Sequence, residues 1–132
     1  MNPYLSFHDG AMTAMEFYRT VFGGELTRMS FGDNNLGEPH EADRTMHSQL
    51  DIRSGLTLMA ADTPDALGAP TPNGSIALSG GPAEVEELRT WYQGLCDGAA
   101  EALPLETAPW GDSFGMCVDR FGVRWMVNIS GS

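Results

Sequence analysis

The feature that most constrains this chain is an internal duplication. Residues 15–22, with the sequence MEFYRTVF, recur half a chain later as VEELRTWY at residues 85–92. Each half also ends on an Asp, a Gly and a Met in the same order: Asp51, Gly55 and Met59, then Asp119, Gly122 and Met126. Solenoids have shorter and more numerous repeats. The duplication instead predicts two similar modules that face each other, with any ligand held in the cleft between them.

Length and composition predict one folded domain built from these two modules. A chain of 132 residues with 42% hydrophobic content can bury a core of its own. The first module is expected to cover about residues 1–61 and the second about 74–132. Residues 62–73 contain three prolines and are interpreted as the linker between them.

The charge balance excludes several classes of partner. Seven basic residues stand against eighteen acidic ones, giving a net charge of -11. Such a surface repels phosphate backbones and anionic lipid, so neither nucleic acid nor a membrane surface is an expected partner. No apolar run reaches the ~20 residues of a membrane span, and the first residues lack the features of a signal peptide. Cys96 and Cys117 have no metal or redox spacing, so we expect ordinary buried thiols in a cytoplasmic protein.

The order of predicted elements is β-α-β-β-β in each half. Alternating runs predict strands at residues 4–8, 25–31, 45–52 and 56–60, and again at 75–79, 99–106, 113–119 and 123–129. Asp9 is expected to cap a first helix with a buried stripe at Ala14, Phe17, Tyr18 and Val21. Pro82 begins a second, with its stripe at Val85, Leu88, Trp91, Tyr92 and Leu95. The polar segment 32–43 is long enough for a lid, and Asp51 and Asp119 are interpreted as turn residues. The fold class is therefore α+β, with helices on one face of a mixed sheet.

Strand parity separates a core face from a second, mixed face, since successive side chains point to opposite sides. The mixed set is Tyr4, Ser6 and His8, then His47, Gln49 and Asp51, then Ser75, Ala77 and Ser79, then Arg124, Met126 and Asn128. This face is either the solvated side of an open sheet or the lining of a cavity. Large groups at Tyr4, His47 and Met126, with Trp110 and Phe114 nearby, favour the cavity.

Several stretches together resemble the vicinal oxygen chelate superfamily of glyoxalases, bleomycin-resistance proteins and dioxygenases, and its PhnB-like branch in particular. They are NPYLSF at 2–7, EFY at 16–18, FGGEL at 22–26, MHSQL at 46–50, PLET at 104–107, WG at 110–111 and the run from 114 to 128. The likeness covers nearly the whole chain. It implies a single glyoxalase-like domain whose paired βαβββ modules form a cupped sheet with helices outside, assembled as a homodimer.

The resemblance also implies a place for a divalent metal. Members hold it with four strand positions, which by register fall here on Tyr4, Gln49, Ser75 and Met126. These side chains offer a phenol, an amide, a hydroxyl and a thioether, whereas such metals favour imidazole, thiolate or carboxylate. We therefore expect no metal cofactor, and the departure argues against metal-dependent lyase, isomerase and dioxygenase chemistry.

Three functions remain open. The first is a protein that binds a small organic molecule in the cup. Tyr4, Trp110 and Phe114 would stack on it, Met126 would line the site, and His47, Gln49, Ser75 and Asn128 would supply hydrogen bonds. The second is an enzyme of the same superfamily that uses a divalent metal or His47 as a catalytic acid and base. The third is a structural dimer in which the cup has lost its role.

Overall fold

The structure is a computed structural model that describes residues 3–32, 42–53, 55–64 and 73–131. The chain divides into two compact units, Met1–Asn73 and Gly74–Ser132. Most of the expected lid (33–41) and most of the expected linker (65–72) lie outside the described residues. The two ends of the lid segment are joined by a backbone hydrogen bond of 3.0 Å from Gly32 N to Ala42 O.

Both units have the βαβββ order. The first contains β1 (Tyr4–Phe7), α1 (Ala11–Phe22), β2 (Glu25–Ser30), β3 (Thr45–Arg53) and β4 (Leu56–Asp62). The second contains β5 (Ser75–Gly80), a 3-10 turn (Pro82–Glu84), α2 (Val85–Cys96), β6 (Glu101–Thr107), β7 (Ser113–Val118) and β8 (Arg124–Ile129). The sheet orders are β1-β4-β3-β2 and β5-β8-β7-β6, and in each the outer β1 or β5 strand runs parallel to its neighbour. The predicted α+β class with two βαβββ modules is confirmed. A common cup between the modules stays a prediction.

Each helix packs its apolar stripe on one face of its own sheet. In α2 the buried residues are Leu88, Trp91, Tyr92 and Leu95, as predicted, whereas Val85 is only partly buried. In α1 the stripe is rotated from the prediction, because Phe17 and Val21 are only partly buried while Met15 and Phe22 are buried. Strand parity is as predicted, with Leu5, Leu50, Leu78, Trp125, Val127 and Ile129 in the core. No helix among the described residues has the length and apolarity needed to span a membrane.

The cap predicted for α1 is wrong. Asp9 lies beside His8, with 3.6 Å between its Oδ2 and the His8 Nδ1, and no side chain caps the helix from its N-cap position, Gly10. The acceptor at the helix N-terminus is instead the buried Asp62, at the end of β4. Its Oδ1 accepts from Ala11 N at 2.8 Å and its Oδ2 accepts from Thr45 N at 2.7 Å. A carboxylate there satisfies a free N–H and favours the helix dipole.

Asp119 and Asp51 differ in spite of their equivalent places in the repeat. Asp119 is fully buried after β7, and its Oδ1 accepts from the backbone N–H groups of Phe121 and Val123 at 2.8 and 3.0 Å. The turn it holds includes Gly122, whose φ of 84° favours glycine. Asp51 lies inside β3 rather than in a turn, so the turn interpretation is right for Asp119 and wrong for Asp51.

A bulge in β6 shapes one edge of the second module. The pairing of β6 with β7 shifts between Leu103 and Glu106, and Pro104 in this stretch has no N–H to donate. The hydroxyl of Tyr92, from α2, donates to the carbonyl oxygens of Leu103 and Met116 there. The Tyr92 ring lies so close to β7 that a Cβ on Gly115 would be 2.9 Å from its Cζ.

Candidate functional site

In the first module, the candidate residues lie on the open face of the sheet. Tyr4 on β1 and Gln49 on β3 both pair with Met59 on the central strand β4. His47 pairs with Met29 on β2. Because alternate residues share a face, Tyr4, Met59 and Gln49 form one row across the sheet, and His47 with Met29 lies in the next row on the same face.

Tyr4 and His47 are in direct contact on this face. The Tyr4 hydroxyl and the His47 Nδ1 are 3.5 Å apart, and the ring centroids are 5.9 Å apart at an interplanar angle of 38°. Tyr4 is 52% exposed and His47 is half-buried. The pair therefore presents an aromatic surface and an imidazole to whatever occupies this face.

Gln49 is partly engaged by its neighbours. Its Nε2 donates to Asp51 Oδ1 at 2.9 Å, and Thr57 Oγ1 donates to the same oxygen at 3.3 Å. The amide oxygen of Gln49 is the part of the side chain that these bonds leave for a ligand.

In the second module, the candidate residues fall on the corresponding open face. On β8, Met126 pairs with Ala77 and Met116, and Asn128 pairs with Ser79 and Phe114. Ser75 pairs with Arg124, one step further along the sheet. The structure thus places Phe114 and Asn128 in one row, Met126 in the next row and Ser75 in the row beyond it.

Trp110 and Phe114 line one cleft. It has a volume of about 590 Å³ and lies along the end of β6 and the turn to β7. Trp110 is 78% exposed, Phe114 45% and Leu103, a third wall residue, 54%. Glu106 supplies a carboxylate to the same wall. Three large apolar side chains exposed at one place are typical of a binding site rather than of an ordinary surface.

The residues at the positions expected for a metal do not fit a divalent ion. Tyr4 contacts His47, Gln49 is bonded to Asp51, and Ser75 and Met126 add only a hydroxyl and a thioether. No anionic or imidazole ligand stands at any of the four positions. Among the residues that the structure describes, no group of three or more His, Cys, Asp or Glu side chains could hold a metal ion.

Both thiols are free, but only one is buried. Cys117 is buried, and its burial, followed by the neighbouring Cys96, raises its pKa from 9.0 to about 12. It is therefore a neutral thiol at physiological pH, without nucleophilic character. Cys96 is half-buried at the end of α2, which corrects the expectation that both thiols are buried.

The sequence interpretation missed Met59, Leu103 and Glu106. Met59 occupies in β4 the central place that Met126 occupies in β8, as the register of both sheets shows. The alternation of side chains along residues 56–60 is the sequence feature that could have identified Met59. Leu103 and Glu106 were not predictable in the same way, because the β6 bulge breaks the alternation between them.

Comparison with known proteins identifies the family. The profile of the Glyoxalase/Bleomycin resistance protein/Dioxygenase superfamily matches residues 3–127, so the chain belongs to this superfamily, as predicted. Among solved structures, it is similar to protein PA1353 from Pseudomonas aeruginosa, with 32% identity and a TM-score of 0.81 over 98% of this chain and 96% of that one. A PhnB protein from Bacillus cereus shares the fold, with a TM-score of 0.67, 23% identity and 98% of both chains covered. Protein YjdN of Escherichia coli strain K12 is 26% identical over 98% of this chain and 94% of its own length.

Proposed function

We propose that this chain is a PhnB-like, glyoxalase/bleomycin-resistance-type protein that binds a small organic molecule, apolar or aromatic, in the cup of the sheet. The observation that supports this most directly is the cleft of about 590 Å³ in which Leu103, Trp110 and Phe114 are all exposed. Its volume lies within the range of about 300–1,000 Å³ that ligand pockets occupy. An aromatic ligand would stack on Trp110 and Phe114, Glu106 and Thr107 line the cleft itself, and Asn128, paired with Phe114, would supply a further hydrogen bond. The remaining residues proposed for ligand contact are Tyr4, Gln49, Ser75 and Met126.

The charge of the site favours a cation. Glu106 lines the cleft, and the whole chain carries a net charge of -11. An aromatic side chain also attracts a cation over the face of its ring, and Trp does so best. The expected ligand is therefore an aromatic or otherwise apolar molecule with a positive charge.

The test is a thermal-shift screen with benzyltrimethylammonium and larger aromatic ammonium compounds, each beside a neutral analogue. We expect the cations to raise the melting temperature of the wild type. Trp110→Ala should abolish the shift, whereas Trp110→Phe, which keeps an aromatic face, should retain most of it. A shift of equal size in Trp110→Ala would place binding elsewhere and contradict the proposal.

We also propose that this binding needs no metal. The chemistry of Tyr4, Gln49, Ser75 and Met126 supports this, since they offer a phenol, an amide, a hydroxyl and a thioether in place of the carboxylate, thiolate or imidazole that such ions favour. Elemental analysis of protein purified without chelators should find less than stoichiometric Zn, Ni, Mn or Fe. A stoichiometric divalent ion that is lost on mutation of Tyr4 or Gln49 would contradict this part of the proposal.

The contact between Tyr4 and His47 favours a second candidate, an enzyme in which His47 transfers a proton. The Tyr4 hydroxyl, 3.5 Å from His47 Nδ1, would orient the imidazole. A suitable reaction is proton removal from a carbon next to a carbonyl. Incorporation of solvent deuterium into hydroxyketones, followed by NMR, tests it. Loss of exchange in His47→Gln would support catalysis, and unchanged exchange would rule out this role.

We further propose that the protein is a cytoplasmic homodimer. Family membership supports the dimer, and the two free thiols fit a reducing compartment. Sedimentation velocity over a hundredfold range of concentration should give twice the mass of the 14.2 kDa chain. A monomer at all concentrations would contradict the dimer, and fractionation of cells tests the compartment.

A further inference from the structure

A second cleft lies between α2 and β6 of the second module and shares the wall residues Leu103 and Pro104 with the Trp110 cleft. Its volume is about 510 Å³. The walls include Tyr92, Leu103, Pro104 and Leu105, and its polar groups are Arg89 and Gln93. The half-buried thiol of Cys96 also lines it. The function proposed above does not use this cleft.

The β6 bulge gives the cleft its apolar wall. The stretch from Leu103 to Glu106 departs from regular pairing with β7, and Tyr92 anchors it from α2 through the carbonyl oxygens of Leu103 and Met116. The wall is therefore fixed to the helix that carries Arg89, so the apolar and cationic parts of the cleft are held together.

Arg89 is the residue that indicates a ligand. Its counterpart in the repeat, Arg19, pairs with Glu16 three residues earlier, with 2.8 Å between Nη2 and Oε2. Arg89 also has a glutamate three residues earlier, Glu86, yet it forms no ion pair or hydrogen bond with any residue that the structure describes. It lines the cleft instead. In a chain with a net charge of -11, this leaves an exposed cation beside an apolar cleft, paired with no side chain that the structure describes.

We propose that the α2–β6 cleft binds a small molecule with one carboxylate and an unbranched apolar body, as in a medium-chain fatty acid. The carboxylate accepts hydrogen bonds from the Arg89 guanidinium, whose paired N–H groups match it geometrically. Gln93 donates a further bond from its amide, and the apolar body packs against Leu103 and Leu105. A single negative charge fits the site best because the surrounding acidic surface repels a more highly charged anion.

Octanoate is the probe, and Cys96 is the reporter. Bound octanoate should slow alkylation of Cys96 by N-ethylmaleimide at least about fivefold, measured by mass spectrometry of the intact protein. Cys117 is buried and should stay unmodified throughout, which makes it an internal control. Octanol, which has the same apolar body without the charge, should protect far less.

The matched variants are Arg89→Gln and Arg19→Gln, which remove the same charge from equivalent places in the repeat. Loss of a charge-assisted contact should weaken octanoate binding by about tenfold or more in Arg89→Gln, by calorimetry, and leave Arg19→Gln unchanged. Trp110→Ala should also leave octanoate binding unchanged, so either of the two proposals can be contradicted without the other. The proposal is overturned if octanoate does not protect Cys96 in the wild type, if octanol protects equally, or if Arg19→Gln weakens binding as much as Arg89→Gln.

Discussion

Asp119 makes more hydrogen bonds from a buried position than its counterpart Asp51 makes from the surface. Besides the two backbone N–H groups of its turn, it accepts from Trp125 Nε1 at 2.9 Å. Trp125 is itself buried in the core of the second module. One carboxylate thus fixes both the β7–β8 turn and the largest side chain packed beneath it.

Asp119→Ala should lower the free energy of unfolding by about 3 kcal/mol or more. The substitution removes the acceptor of three hydrogen bonds, two of them buried (from Val123 N and Trp125 Nε1) and one part-buried (from Phe121 N), and a lost buried bond costs about 1–3 kcal/mol. Asp51→Ala is the matched control and should cost less than about 1 kcal/mol, since Asp51 is exposed. Urea denaturation measures both, and equal losses would contradict the role given to Asp119.

Because the pKa of Cys117 is raised, the free energy of unfolding is expected to depend on pH above about pH 9. The unfolded thiol loses its proton near pH 9, while the folded one keeps it to about pH 12. Between these values the native state binds more protons, so the contribution to stability is complete below pH 9 and is lost as the pH rises towards 12.

The free energy of unfolding of the wild type should therefore fall more steeply above pH 9 than that of Cys117→Ala. Both proteins keep Tyr92, whose pKa is raised mainly by burial and less by the nearby Cys96 and Cys117, so the difference between their slopes reports the Cys117 thiol together with its smaller effect on Tyr92. Urea titrations at several pH values between 7 and 11 provide the comparison. Parallel slopes would show that Cys117 titrates normally in the folded protein.

At the scale of elements, Tyr92 connects α2 to the irregular part of β6. Tyr92→Phe removes the donor from two backbone carbonyls and should cost about 1–2 kcal/mol of stability. Amide hydrogen exchange should become faster mainly in β6 and around Met116 in β7, because β5 and β8 accept no hydrogen bond from that hydroxyl. Uniformly faster exchange across the sheet would contradict this local role.

Gly115→Ala should disturb the same contact between Tyr92 and β7 by crowding the Tyr92 ring.

The sequence predicted the elements well because their signals are local. Alternation placed all eight strands to within about two residues at most boundaries, and the duplicated helices were found from their 3.6-residue period. The residues that join elements were missed. Asp62 was assigned to the linker, although it caps α1 from 51 positions away. A hydrogen bond between residues 51 positions apart produces no periodic pattern in a single sequence.

The candidate site was only partly predictable, for the same reason. Parity correctly placed Tyr4 and His47 on one face, and in the structure the two side chains reach each other across β4, which lies between β1 and β3. The orientation of Arg89 was not predictable, since its spacing from Glu86 matches that of Arg19 from Glu16. Only the packing of β6 against α2 distinguishes the two arginines.

For the molecule as a whole, net charge should govern how quickly a ligand arrives. With a charge of -11, a cationic ligand is drawn to the protein over roughly 10 Å at 0.1 M salt, and over less at higher salt. Stopped-flow association of an aromatic ammonium compound should slow several-fold between about 20 and 500 mM NaCl. The neutral analogue serves as the control and should show little change. Equal salt dependence for both would argue against electrostatic attraction.

The position of Asp62 also has a consequence for synthesis of the chain. Ala11 and Thr45 both donate their backbone N–H to this one carboxylate. While a ribosome is still making the first sixty residues, the nascent first helix lacks the acceptor at its amino end. The N-terminus of that helix therefore gains its hydrogen-bond acceptor only after β4, the last strand of its module, has been synthesised. The module is expected to fold late and as a unit for this reason.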